Sequence, residues 1–244
     1  MKLLLAAACV LALAGGVVDA ASARDTGQPF YLVPPSPRQE CHNVKDCVSV
    51  IGPWVVVPAK GEATFLLLCP KNQGYVGGTD SRASSPAVHV WFDGQIGAPI
   101  SQSITTSYKL LFHAVAKNAH VGVFQPVLGC ITLQKHSNGR STVSARATVP
   151  GTSTGSLDYQ MRLVVLNAGT NQSATVACPA PEKIVGSWSS LAFVSIDPPS
   201  VAHAGAVKTT TRIVGNAVQG SIATALSLPF APLAEVQIGA VCAR

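Results

Sequence analysis

Apolar residues in this chain come in short runs rich in Val, Ile, Thr and Phe, each bounded by Pro, Gly, Asn or Asp. Runs of this kind between turn formers predict strands. In the first part of the chain they fall at 55–57, 63–69, 75–76, 87–92, 107–115 and 121–133. In the second they fall at 161–166, 172–178, 183–185, 191–196, 208–214, 220–228 and 235–241. The pair 55–57 and 63–69 flanks Pro58-Ala59-Lys60-Gly61 and predicts a hairpin, which Pro70 ends. Residues 109–115 have the composition of a helical turn as well as of a strand. Their expected counterpart, 208–214, is rich in Thr, Val and Ile and favours the strand. Gly77-Gly78 after Tyr75-Val76 fits a bulge or a tight turn.

These runs are not independent. Residues 56–70, VVPAKGEATFLLLCP, recur 109 positions later as residues 165–179, VLNAGTNQSATVACP. The match continues without a gap to Gly77 and Gly186. A second matched block, 123–130 beside 235–242, ends in Cys130 and Cys242 at an offset of 112. A drift of three residues between two matched blocks is what loop change in a repeated unit produces. The expected fold class is therefore all-β, with two tandem, mutually similar, disulfide-bonded β-sandwich domains at 47–135 and 157–244. An N-terminal extension at 24–46, carrying Pro34-Pro35-Ser36-Pro37, precedes them. A Ser/Thr/Gly-rich linker, with one strand expected at 142–149, spans 136–156.

Residues 1–23 have the pattern of a secretory signal: Lys2, an apolar stretch at 3–18, and Ala21-Ser22-Ala23 as a small-residue cleavage site, with a cut after Ala20 nearly equivalent. The apolar stretch is broken by Gly15-Gly16 and is shorter than the roughly 20 residues a spanning helix needs, and no later stretch predicts a span. A secreted or cell-surface location is expected. Cys9 leaves with the signal, so six cysteines remain, and an even number in a secreted chain predicts disulfides. Six cysteines allow 15 connectivities, but if the two units share a fold, equivalent cysteines must pair within each unit. That expectation gives Cys69–Cys130 and Cys178–Cys242, with Cys41–Cys47 as a short local loop. No CxxC and no histidine at ligand spacing accompanies them, so neither a metal nor a cofactor is expected.

Composition changes the functional picture only slightly. Charged residues make up 11% of the chain and hydrophobic ones 48%, and the formal net charge is +6. No acid occurs between Asp93 and Asp158, an interval holding Lys109, Lys117, Lys135, Arg140 and Arg146. A basic face built on Lys135, Arg140 and Arg146 is the candidate binding site, toward anionic polysaccharide or another envelope protein. Nucleic acid is not expected, because the basic residues are neither clustered nor interleaved with aromatics. Gly151-Thr152-Ser153-Thr154-Gly155 matches the nucleophile-elbow pattern but lies in the polar linker with no helix signal after it. The six histidines are scattered, Asp93 and Asp197 read as turn residues, and Trp54, Trp91 and Trp188 are assigned to core packing rather than to stacking on sugars.

Cys69-Pro70, the strand ending in Val76-Gly77-Gly78, and closing Cys130 resemble a recurring pattern in secreted bacterial proteins, in which these features mark each β-sandwich repeat. The second unit departs from it, with Gly186-Ser187 in place of the glycine pair. The resemblance implies secretion and the sandwich fold and carries no activity. Together these observations suggest a secreted or envelope protein with a binding or structural role. A hydrolase with its site between the two domains, and a protein-binding adhesin or inhibitor, are the alternatives.

Overall fold

The computed structural model describes residues 47–70, 75–96, 108–131, 146–147, 149–152, 157–225 and 233–244. They form fifteen strands and one short helix, so the all-β class holds. The strands of the first half are β1 (Cys47–Ile51), β2 (Trp54–Val57), β3 (Glu62–Leu68), β4 (Tyr75–Ala83), β5 (Val88–Asp93), β6 (Lys109–Ala116) and β7 (Gly122–Ile131). Two short strands follow, β8 (Arg146–Ala147) and β9 (Gly151–Thr152). The second half holds β10 (Asp158–Val165), β11 (Asn171–Ala177), β12 (Lys183–Val194), helix α1 (Val201–Gly205), β13 (Val207–Val214), β14 (Ala217–Thr224) and β15 (Leu233–Ala243).

One large sheet runs through both halves in the order β10-β15-β12-β2-β7-β4-β8, with β1 also pairing to β7. The halves join where Ala192 and Phe193 of β12 lie opposite Val55 and Trp54 of β2. A four-stranded sheet, β3-β6-β5-β9, packs against the first half of the large sheet, and a three-stranded sheet, β11-β14-β13, against the second. The first core is built on Phe65, Leu110, Phe112, Phe124 and Leu128, and the second on Val176, Phe193, Val218, Ile222 and Val236. Each core encloses one disulfide, Cys69–Cys130 or Cys178–Cys242, as the repeat predicted. Cys41 lies outside the described residues, as do residues 1–46 as a whole, so the Cys41–Cys47 loop and the signal-like segment do too.

The same strand order is drawn in each half. β7 lies between β2 and β4 as β15 lies between β10 and β12, and β6 lies between β3 and β5 as β14 lies between β11 and β13. Both β4 and β12 slip by one residue at the same place, opposite the closing cysteine of the half. This order corrects the expected match of 109–115 with 208–214: the counterpart of β6 is β14, and β13 corresponds to β5. The expected hairpin at 55–69 is also corrected. β2 joins the large sheet and β3 the four-stranded one, so Pro58 to Gly61 carries the chain across the sandwich, with Lys60 at φ 51°. A tight turn looks alike in sequence whether the next strand pairs with its predecessor or crosses to the facing sheet. The expected linker is corrected in part. β8 pairs parallel with β4, β9 pairs parallel with β5, and Val149 between them is buried in the first core.

The second half also packs on the outer face of the four-stranded sheet. Leu66 of β3 and Leu111 of β6 bury against Tyr159 and Trp188, with Met161 and Val241 beside them. β3 is an edge strand, and an edge strand leaves backbone groups unpaired. Here side chains of the second half take them. The Gln237 amide accepts from the Leu66 N–H at 2.7 Å and donates to the Leu66 carbonyl at 2.9 Å, as a neighbouring strand would. The Trp188 indole N–H donates to the same Gln237 oxygen at 3.0 Å, and Ser190 Oγ donates to the Thr64 carbonyl and accepts from its N–H. Lys109 closes the seam through Asp158 and the Tyr159 carbonyl. Burial pushes the Asp158 carboxyl up, but the Lys109 ammonium, Gln160 and the Tyr159 N–H together outweigh it, so the group titrates below the ordinary carboxylate value. Replacing Gln237 by Ala strips three groups of their partner and opens space for water, which can re-satisfy part of the loss. The expected result in urea melts is a loss of about 2 kcal/mol. An unchanged midpoint would show that the seam does not depend on this side chain.

Candidate functional site

Alternation along β5 and β6 decides which side chains leave the first core. Val88 and Phe92, and Leu110, Phe112, Ala114 and Ala116, are buried in it. The alternate residues His89, Trp91 and Asp93 on β5, and Leu111, His113 and Val115 on β6, therefore stand on the outer face. Register sets Trp91 and Thr64 on either side of His113. Among the described residues, those of the second half that pack on this face lie against Leu66 and Leu111, and nearer β9 Trp91, Asp93 and His113 are half-buried and His89 is exposed.

Four side chains there form a continuous hydrogen-bonded chain. His113 Nε2 lies 2.9 Å from Asp93 Oδ2, and His113 Nδ1 lies 3.1 Å from Thr64 Oγ1. Thr152 of β9 donates its hydroxyl to the other Asp93 oxygen. A carboxylate only accepts, so Nε2 carries the proton toward Asp93, and in the neutral imidazole Nδ1 accepts from the Thr64 hydroxyl. The Trp91 indole stacks on the imidazole at 5.4 Å between centroids and 16° between planes. Gly94, at φ +142°, turns the chain directly after Asp93, where a side chain would collide with Leu110.

A hydroxyl, an imidazole and a carboxylate in series are the parts of a nucleophile relay, but acyl transfer also needs donors for an oxyanion. The Thr64 and Leu66 N–H groups, the outward donors of β3 at this point, already bond Ser190 and Gln237. The donors of this hydrogen-bonded series are all spent within it, while the Asp93 oxygens and the two threonine hydroxyls keep lone pairs that can accept further hydrogen bonds beside the aromatic face of Trp91.

The basic residues singled out from sequence are not brought together by the described structure. Lys135 and Arg140 lie outside the described residues, and Arg146 is the first residue of β8. Gly151 and Thr152 of the nucleophile-elbow match lie in β9, and the next described element is strand β10, so the strand-to-helix turn which that motif requires is not formed by described elements. Trp54 and Trp188 are buried, as expected, whereas Trp91 stands outside the core and corrects the assignment made for all three. The cluster holding Trp91 was missed in sequence because Val90 and Phe92 beside it make the run look uniformly apolar. The usable signal was the alternation His89, Trp91, Asp93 set against His113 on a second strand. No group of three metal-binding side chains occurs among the described residues. Compared with known protein families, curated proteins and solved structures, the chain matches none.

Two formed disulfides fit folding in an oxidising compartment. No helix among the described residues is long and apolar enough to cross a membrane.

Proposed function

We propose that this is a secreted or cell-envelope binding protein whose first half recognises saccharide through the outer face of β5 and β6. The observation that carries the reading is the half-buried Trp91 ring, outside the core and held flat against His113, with Asp93 fixed between His113 and Thr152. The indole offers an apolar face to the C–H side of a pyranose, and the rigid polar groups beside it limit which hydroxyls fit. By strand correspondence the second half carries Thr210, Arg212 and Ser221 where the first has Trp91, Asp93 and His113, so the platform belongs to the first half alone. The net positive charge adds attraction for acidic polymers.

The test is retention of the full chain on immobilised neutral and acidic envelope polysaccharides, read by affinity electrophoresis. Trp91→Ala should weaken retention at least about tenfold, the size expected for losing one aromatic anchor, while leaving the thermal midpoint in place. Salt should weaken binding to the acidic polymers only. Retention unaffected by Trp91→Ala, or none on any polymer at low salt, removes the proposal.

A further inference from the structure

The two halves differ in one conspicuous way along the side of the sandwich where β4 faces β5. In the first half that side is closed by the segment after β7. β8 pairs parallel with β4 at Gly78 and Thr79, β9 pairs parallel with β5 at Phe92 and Asp93, and Val149 drops into the core between them. Phe92 N–H donates to the Pro150 carbonyl and Gly94 N–H to the Thr152 carbonyl, so the outer edge of β5 is satisfied. Thr79 is 1% exposed beneath this segment.

The same side of the second half lies between β12 and β13. Register places Gly186 and Ser187 where the first half has Gly78 and Thr79, and Thr209, Thr211 and Ile213 where it has Val90, Phe92 and Gly94. Among the described residues no strand pairs with the outer edge of β13, and β12 meets β2 only at its far end, through Ala192 and Phe193. The inward-facing positions are open in consequence. Ile213 is 53% exposed although it lies opposite fully buried Val218, and Thr211 and Ser187 are exposed. Ser189 and Thr209 bridge the two sheets by a hydroxyl contact at 3.2 Å, which marks the floor of the opening.

We infer that this open side takes an extended polypeptide strand of another protein, which pairs parallel to β13 and places one β-branched apolar residue over Thr209 and Ser189, the counterparts of Val90 and Ser81 that flank Val149 in the first half. The mode is strand addition, with backbone bonds supplying affinity and one inward side chain supplying selectivity. The occupant's chemistry follows from what fills the first half, a short strand, a valine, then Pro-Gly and a second short strand. Its charge follows from β12 and β13, which carry Lys183, Lys208 and Arg212 and no acid, so the partner segment is neutral to acidic. This surface lies on the second half and is independent of the saccharide platform.

The probes are two synthetic decapeptides added to the full chain: residues 144–153 of this chain, and the same peptide with Arg146→Asp. The readout is amide hydrogen exchange. By correspondence with Phe92 and Gly94, the Thr211 and Ile213 amides point to the free edge. Both should exchange at least about tenfold more slowly when peptide is bound, with the Arg146→Asp peptide binding several-fold more tightly. A Val149→Asp peptide should give no protection. Thr211→Pro in the protein removes one edge N–H without touching the β14 ladder, and should abolish the effect with the far-ultraviolet spectrum unchanged. Ser189→Trp, which fills the opening instead, should abolish it as well. No protection with either peptide overturns the inference, as does protection confined to other strands. Protection of β13 that rises with protein concentration alone assigns the edge to a second copy of the chain and likewise overturns it.

Discussion

Replacing Cys69 and Cys130 together by Ala should lower unfolding free energy by about 4 kcal/mol, the chain-entropy value for a bridge whose ends are 61 residues apart. Replacing Cys178 and Cys242, 64 apart, should cost nearly the same. The informative part is which transition moves. Two sandwiches joined by a linker would melt separately, and each bridge would shift only its own half. Here the large sheet is continuous across the join, and β3 of the first half finishes its hydrogen bonding on Ser190 and Gln237 of the second. Loss of either bridge should therefore shift one common transition, followed by urea with tryptophan fluorescence and with circular dichroism. Trp91 reports on the first half and Trp188 on the seam. Two separated transitions, with only one moved by each pair, would show that the halves unfold independently.

What was legible in the sequence follows from which interactions are local. Strand positions were readable because period-2 alternation and turn residues act within a few positions, and the bridges were readable because the repeat placed equivalent cysteines in register. Sheet assignment was not. Pro58 to Gly61 marks a reversal, but β3 pairs with β6, which sets Phe65 beside Phe112, 47 positions later, and both in the core between the sheets. Val149 was hidden for a similar reason, since one valine in a polar stretch becomes core only because β4 and β5 leave a slot for it. The platform was half legible. Asp93 was seen as a turn residue, but its contacts with His113 and Thr152 depend on two pairings that sequence does not fix. The polar stripe of β15 misleads most. Glu235 and Gln237 alternate with Ala234, Val236 and Ile238, the pattern of a half-solvated strand. They are 2% and 0% exposed because the second half lies against the first across that face.

That stripe makes stability depend on pH. Glu235 has no hydrogen-bond partner at Oε2, and its neighbours across the sheet are Val165 and Ala192, which offer no charge. Burial pushes its carboxyl up to about 7, from an ordinary 4.5. Below pH 4.5 the group is protonated whether the chain is folded or not, and it costs nothing. Between 4.5 and 7 the unfolded chain releases the proton while the folded one keeps it, so the folded state loses ground as pH rises. Above 7 both forms are ionised and the full penalty stands, on the order of 3 kcal/mol. Glu235→Gln keeps the shape and removes the titration. Its stability relative to the parent should therefore rise by about 3 kcal/mol between pH 4.5 and pH 8, measured by urea unfolding at each pH. Any fixed cost of the amide cancels in that difference. A variant whose advantage does not grow over this range would mean that Glu235 meets its charge some other way, either through water reaching Oε2 or by displacement of β15 from the seam. Hydrogen exchange at Leu66, whose N–H depends on Gln237 two residues along β15, separates these two cases. Displacement speeds exchange above pH 7 in the parent and not in Glu235→Gln, whereas water penetration leaves the two alike.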